Sequence, residues 1–372
     1  MALGPRDTSS LVMMTGWDAT ELQNFQLQDG TTYAQIVGEA NAALAALNME
    51  LATDPLWAGL VSFSDRPDVK YRVGASNGMN RFTEYTRADP ARADMEGHML
   101  PLIPWDRALG WTWKYLKEAR LDEVQNDIRD AIKDVRDRYR VQILTRLLKR
   151  TDDSGDNNGL GSSGYSAGFA TDAGSTNVDF TPPAYGGTTF TSAHEHYVGI
   201  AGGAFTAAVF TDSKDELREH GHEPPYDFLI GPSDESTVKG LTGFVATGSD
   251  LVRYGMLQDV ARLDPMANSQ GSYYIGTIND FAVRVVQGMP QYYGFGYKSY
   301  GPQSQRNPLR VRLEKGRSMP MVTAMPDPRA GNGTTPLQYL MLYLEFGVGV
   351  ADRTNGTARY VNNAAWADGT PT

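Results

Sequence analysis

From Tyr115 to Arg150 the chain runs without a glycine or a proline. Apolar residues recur there at Leu121, Val124, Ile128, Ile132, Val135, Tyr139, Ile143, Leu144, Leu147 and Leu148, with charged residues between them. That spacing puts one apolar stripe on a single long helix. About thirty helical residues, each rising about 1.5 Å, make a rod of roughly 45 Å, as long as a small domain is wide. Any fold for this chain has to accommodate that rod.

The rod is also where the charge is uneven. Residues 114–150 hold 11 basic and 7 acidic side chains, a net +4, against −10 for the whole chain and therefore −14 elsewhere. Arg138, Arg140, Arg146, Lys149 and Arg150 crowd its last turns. Cations there suit the negative end of the helix dipole. The run reads either as a solvated face or as a local basic stripe able to meet phosphate. Bulk charge does not recommend the chain as a nucleic-acid binder, since its pI is near 5.1.

Ahead of the rod, Thr32 can cap a helix carrying Tyr33, Ile36, Val37, Ala40, Ala43, Leu44, Leu47 and Leu51, which Asp54-Pro55 stops. It reads as a core helix or as an arm that docks on a partner. Val69–Val73 and Asn80–Tyr85 alternate about the turn-rich Gly74–Gly78, a β-hairpin followed by a polar segment to His98. A two-stranded hairpin with so few large apolar residues is marginal unless something packs on it. It is either covered by its own domain or laid on a neighbouring subunit. Leu100–Trp113 is an aromatic and aliphatic hinge, with Trp105, Trp111 and Trp113 as anchors beneath the hairpin or as intrachain core.

Behind the rod, residues 151–191 are rich in Gly, Ser, Asp and Asn and would be ordered only by packing. Ser192 with Glu195, and Ser213 with Glu216, suggest capping boxes, with helix between Ser192 and His220 and Gly221 as its stop. Tyr226–Ile230 reads as a buried strand and Pro232–Leu241 as a short helix. Tyr273–Ile275, Phe281–Val286, Leu309–Leu313 and Tyr339–Phe346 read as strands. The fold class is α+β, without an internal repeat, and the length of 372 residues suggests two to three domains.

Chemistry-bearing motifs fail on context. With no cysteine there is no disulfide scaffold, thiolate nucleophile or Cys-ligated metal centre. Gly159–Gly164 matches a dinucleotide loop but lacks the strand before and helix after that aim amides at a pyrophosphate. Gly74–Gly78 matches a nucleophile elbow but joins two polar strands. A calcium loop starting at Ser154 has Tyr165 where the bidentate Glu belongs. Asn332 and Asn355 head glycosylation sequons that, with no signal peptide expected, read as turns. The pairs His194-x-His196 and His220-x-His222 could chelate a metal on a strand, but on a helix their side chains diverge. Both lie in or beside expected helix, so solvated or helix-end histidines are the expectation, with no metal and no cofactor. No run of about 18 apolar residues spans a bilayer.

The order of these features resembles the major capsid protein of tailed bacteriophages, a fold shared with herpesvirus capsids and encapsulin shells. Ala108–Ala119 (ALGWTWKYLKEA) resembles the return from an extended loop into a spine helix. Leu217–Gly221 and Tyr226–Pro232 look like the helix–turn–strand entering an axial domain. Tyr274–Pro290 is similar to a strand after a Gly turn that stops at proline, and Leu344–Arg353 to the last peripheral-domain strand. The resemblance implies an N-terminal arm (1–60), an extended loop (61–112), a peripheral domain with the spine helix (113–224), an axial domain (225–330) and a return to the peripheral domain (331–372).

It further implies a non-enzymatic subunit forming hexamers and pentamers of an icosahedral virion around double-stranded DNA, assembled in the host cytoplasm with no membrane. Expected partners are other copies, a separate scaffolding protein, a portal and a decoration protein. The expected intersubunit contacts are Tyr71, Arg81, Phe82, Tyr85, Trp105, Trp111 and Trp113; the candidate DNA-facing residues are Arg138, Arg146, Lys149 and Arg150. Lys70 is the only hairpin lysine and no asparagine stands out as its partner, so isopeptide cross-linking is not expected. An encapsulin-like compartment, or a metal-dependent enzyme using the His-x-His pairs, are the alternatives.

Overall fold

The helix expected behind Thr32 forms as α1, Tyr33–Thr53, and Asp54 ends it while starting the next one. The Asp54 carboxylate accepts from the Leu56 amide at 2.8 Å and caps α2, Pro55–Leu60, whose proline sits where a missing N–H costs nothing. The computed structural model describes residues 27–31, 33–73, 94–112, 115, 118–151, 167–170, 180–191, 193–246, 272–326 and 337–372. Its described residues fall into two units, each assembled from separate stretches of the chain.

The first unit draws on Met1–Thr53, Leu102–Arg140 and Arg317–Phe346. It contains α1, strand β4 (Ile103–Thr112), most of the long helix α3 (Leu121–Leu148), β12 (Thr323–Pro326) and most of β13 (Leu337–Val350). α3 starts six residues later than its periodicity suggests. Its start is capped from both sides: the Leu121 amide donates to Asp29 outside the helix at 2.9 Å, and the Arg120 amide to Glu123 of the first turn at 3.3 Å. Arg136 grips Glu50 of α1 through two bonds of 2.7 and 2.6 Å. The segment read as a hinge is instead strand β4. Ten of its residues pair antiparallel with β13, from Ile103 opposite Phe346 to Thr112 opposite Leu337. β12 pairs with β13 as well.

The second unit draws on Asp54–Pro101, Val141–Gly316 and Gly347–Thr372. β1 (Val61–Ser64) pairs parallel with β11 (Leu309–Leu313), and β2 (Asp68–Val73) antiparallel with β3 (Asp94–Met99). The main sheet has seven strands. β5 (Tyr197–Gly199), β6 (Tyr226–Ile230), β7 (Val245–Ala246), β8 (Ser272–Ile278), β9 (Phe281–Val286), β10 (Tyr293–Tyr297) and β14 (Thr357–Tyr360) run in the order β5-β14-β10-β6-β9-β8-β7. Helix α4, Ala207–Glu219, buries Val209, Phe210, Ser213 and Leu217. Phe210 lies 4.6 Å from Phe228, and Phe228 meets Phe281 edge-on at 5.3 Å. Rings at these separations gain beyond their area burial, which is itself worth roughly 2–3 kcal/mol each.

Strands β6, β9 and β11 fall where alternation and bounding turns put them, and the Pro232 helix appears as a 3-10 turn followed by α5, Glu235–Lys239. Neither capping box caps a helix. His194 to His196 is irregular chain leading into β5, and Ser213 lies inside α4, its hydroxyl donating to the Val209 carbonyl at 2.7 Å. Gly221, at φ +82, ends the helical stretch as expected. The sequon residue Asn355 is fully buried; its amide donates to Lys298 and Arg306 carbonyls at 2.8 and 2.7 Å and accepts from the Lys298 amide at 2.8 Å.

Candidate functional site

The hairpin differs from its sequence reading in its pairing. β2 pairs with β3, Asp68 opposite Met99 through Val73 opposite Asp94, so the polar segment before His98 supplies the partner strand. Glycine at position 97 is required by that pairing: a Cβ there would stand 2.4 Å from the Val69 carbonyl oxygen. Tyr71 is a β2 residue opposite Glu96. Arg81, Phe82, Tyr85 and Trp113 lie outside the described residues, as do the turn at 74–78 and the glycine-rich motif at 159–164. Lys70 is exposed and stands 3.7 Å from Asp68.

The tryptophans of β4 are engaged by their own chain. Trp111 is buried and its indole N–H donates to Asp127 of α3 at 2.8 Å. Half-buried Trp105 carries the Arg138 guanidinium 4.5 Å above its ring and meets Phe346 at 6.5 Å. Phe346 in turn contacts Tyr139 at 5.2 Å. An apolar strand face and an apolar helix face within one unit account for these rings, so Trp111 belongs to the chain's own core.

The basic end of α3 is also less free than its sequence suggests. Arg146 is buried and donates to the Lys149 and Thr151 carbonyls, closing the helix C-terminus from within. Arg140 pairs with Asp137 at 2.7 Å, one helical turn back. Arg150 pairs with Glu195, and its amide donates to Asp368 at 2.9 Å. Lys149 is half-buried and Arg138 exposed. Sequence distance concealed Glu195 and Asp368 as counter-charges. Arg146 is therefore a structural cap rather than a DNA-facing residue.

The histidines give the sharpest departure. Because His194 and His196 precede a strand instead of opening a helix, two-residue spacing brings both rings to one side. His220, at the C-terminal cap of α4, meets them there. The Nε2 atoms form a near-equilateral triangle: 3.0 Å between His194 and His196, 2.9 Å between His194 and His220, and 2.9 Å between His196 and His220. The Glu219 carboxylate lies 3.3 Å from the His194 Nε2 and 3.9 Å from the His220 Nε2. Phe190 covers the rings of His194 and His220 at 4.8 and 4.4 Å. His222 turns away to Tyr300 and Thr354, so the cluster takes one pair and half of the other.

Burial holds these rings neutral. It pushes His196 well below the ordinary imidazole range, with the neighbouring His194 adding to the effect, and His220 down to about 2 with help from His196, His194 and His222. His194 is lowered by burial too, against the opposing pull of Glu216. The Glu219 carboxyl is raised, first by burial and then by Glu216 and Asp215. Three neutral imidazoles and a carboxylate can hold a transition-metal ion. Neither Glu219 nor the Gly356 carbonyl behind His196 carried a sequence signal; the His-x-His spacing did, once read on extended chain.

No protein-family model matches the sequence, and no curated protein matches it as a relative. Among solved structures, the chain is similar to one of Mycobacterium phage Patience over 99% of its own length and 97% of that chain, at 16% identity and a TM-score of 0.59. Weaker likenesses include the capsid of an empty GTA particle, at 12% identity, 84% and 90% coverage and a TM-score of 0.46. The holo-SrpI encapsulin complex from Synechococcus elongatus PCC 7942 follows at 12% identity, 84% and 89% coverage and 0.45. The chain shares its fold with that phage structure over nearly the whole length of both chains.

Proposed function

We propose that this chain is a structural subunit of a tailed-phage capsid. The observation that carries the reading is the end-to-end agreement of its fold with a phage structure, with almost nothing left over on either chain. The two-stranded β2–β3 pair supports it further. A two-stranded element is marginal by itself, and docking on another copy would add to its burial.

In this reading residues 61–112 include the extended loop that lies on a neighbouring copy. α3 is the spine of the peripheral domain, 225–330 the axial domain, and 331–372 the return to the periphery. Copies close as hexamers and pentamers around double-stranded DNA, with a separate scaffolding protein, a portal and a decoration protein, in the host cytoplasm. The role is mechanical rather than catalytic. Contact with packaged DNA falls to exposed Arg138 sooner than to the enclosed Arg146, as phosphate contact without base readout.

Expression of the full chain, alone and with the scaffolding protein encoded nearby, tests the reading. Large closed particles by negative-stain microscopy are expected. A monodisperse monomer under every assembly condition would overturn it. A gene beside a cargo protein instead of portal and terminase genes, with that protein inside the particles, would reassign the shell to a compartment.

A further inference from the structure

We infer that His194, His196 and His220, with Glu219 beside them, form a zinc site that fastens the end of α4 to the chain entering β5. The His196 Nδ1 stands 2.7 Å from the Gly356 carbonyl oxygen, a contact only an N–H can make, so its Nε2 presents a lone pair to the cluster. The other two Nε2 atoms each carry either one hydrogen or one in-plane lone pair, and each hydrogen can point along one edge of the triangle. No placement of hydrogens on neutral rings satisfies all three edges at 2.9–3.0 Å. A cation accepts all three lone pairs at once.

The geometry is close to what zinc requires. Zinc–nitrogen bonds of about 2.05 Å in a tetrahedron set donor atoms about 3.3 Å apart, so the triangle has to open by only a few tenths of an ångström. Glu219 is placed to supply the fourth ligand, completing three nitrogens and one oxygen. That mixture suits zinc better than calcium or magnesium, which take oxygen shells. The Gly356 carbonyl is the outer-shell acceptor that fixes the tautomer of a metal-bound imidazole. His220 sits at the C-terminal cap of α4, where the helix dipole places partial negative charge, which favours a cation.

A chain without cysteine has no disulfide with which to staple distant segments. Here His194 and His196 are joined to His220, and through Gly356 to the start of β14, all within the second unit. Closing such a loop in the folded state alone stabilises it by mass action whenever the metal is present.

The test uses the full chain without a histidine tag, grown with zinc and passed through gel filtration. Elemental analysis should find about one zinc per chain, held by three protein nitrogens and an oxygen. After chelation, cobalt should return with the intense visible absorption of a four-coordinate site, a readout that needs no variant. His194→Ala removes the most exposed of the three rings, whose side chain is 20% accessible, and so spares the fold. It should weaken zinc binding about a hundred-fold or more and abolish the cobalt spectrum, with circular dichroism unchanged; Glu219→Gln should weaken binding about ten-fold. Less than a tenth of an equivalent of zinc after saturation and gel filtration, or a cobalt spectrum unaltered in His194→Ala, overturns the proposal. Either result leaves the capsid reading standing, since shell formation is scored separately.

Discussion

The ion pair between Arg359 of β14 and Glu216 of α4 offers a quantitative test of how the second unit is held. Its atoms lie 2.7 Å apart, and the two side chains are 4% and 11% accessible, so solvent screens the pair little. Arg359 also donates to the Ser213 hydroxyl at 2.9 Å, and Thr357 donates to the same Glu216 carboxylate. Replacing Arg359 with Met strands a buried carboxylate, and replacing Glu216 with Leu strands a buried guanidinium. Each single change should cost about 3–5 kcal/mol, mostly the penalty of the charge left behind. Independent effects would therefore sum to about 6–10 kcal/mol in the double variant. The two losses are not independent, because each is mostly the charge that the other variant removes. With both charges gone, the Ser213 hydroxyl keeps its bond to the Val209 carbonyl. Only the Thr357 hydroxyl loses an acceptor, so the double variant should cost about 1 kcal/mol. Urea unfolding of the unassembled chain reads the global change. Hydrogen exchange in α4 and β14 peptides should rise about a hundred-fold or more in each single variant. Fully additive losses in the double variant, or single variants whose exchange rises less than five-fold, would refute the reasoning.

Three further predictions rest on other parts of the molecule. A Cβ at Gly294 would stand 2.6 Å from the Phe228 ring and 2.8 Å from Phe205. Gly294→Ala should therefore lower stability by about 1–3 kcal/mol through overpacking, seen as a lower urea midpoint at constant slope. His98 is pushed down to about 3, first by burial and then by Arg353, Arg146 and Arg310. The unfolded chain thus takes up that proton first as pH falls below 6.5. Its stability contribution is complete above pH 6.5 and is lost progressively towards pH 3. Between pH 7 and pH 5 the natural chain should lose about 2 kcal/mol more than His98→Gln, and equal losses would remove His98 from the account. Deleting residues 74–78 should block shell formation while leaving the far-ultraviolet spectrum of the monomer nearly unchanged; normal shells would remove the hairpin from assembly.

Where the sequence was informative, one physical signal dominated its surroundings. The α3 stripe, the Asp54-Pro55 break and the bounded apolar runs of β6, β9 and β11 each produced the element that local chemistry demanded. Local signals misled where a distant partner decides. β10, Tyr293–Tyr297, alternates glycine and aromatic residues and is weak as an isolated strand. It is a buried central strand because Phe228 and Phe205 need the space a side chain at Gly294 would fill. β4 looked like a hinge because its proline and two tryptophans make no clean alternation, and its pairing with β13 lies more than two hundred residues away. The histidine cluster was hidden by one wrong local inference. Ser192 with Glu195 resembled a capping box, and a helix there would have pointed His194 and His196 apart. The interface residues expected in the hairpin remain tied to the capsid proposal, since Arg81, Phe82 and Tyr85 lie outside the described residues.

The most direct measurement of the central claim is a cryo-electron-microscopy reconstruction of particles formed by the full chain, made with and without its scaffolding protein. The account predicts a closed icosahedral shell of repeated copies, with the strand pair Asp68–Val73 and Asp94–Met99 resting on a neighbouring subunit. Only monomers or small open oligomers, at every concentration and with every scaffold tried, would contradict it.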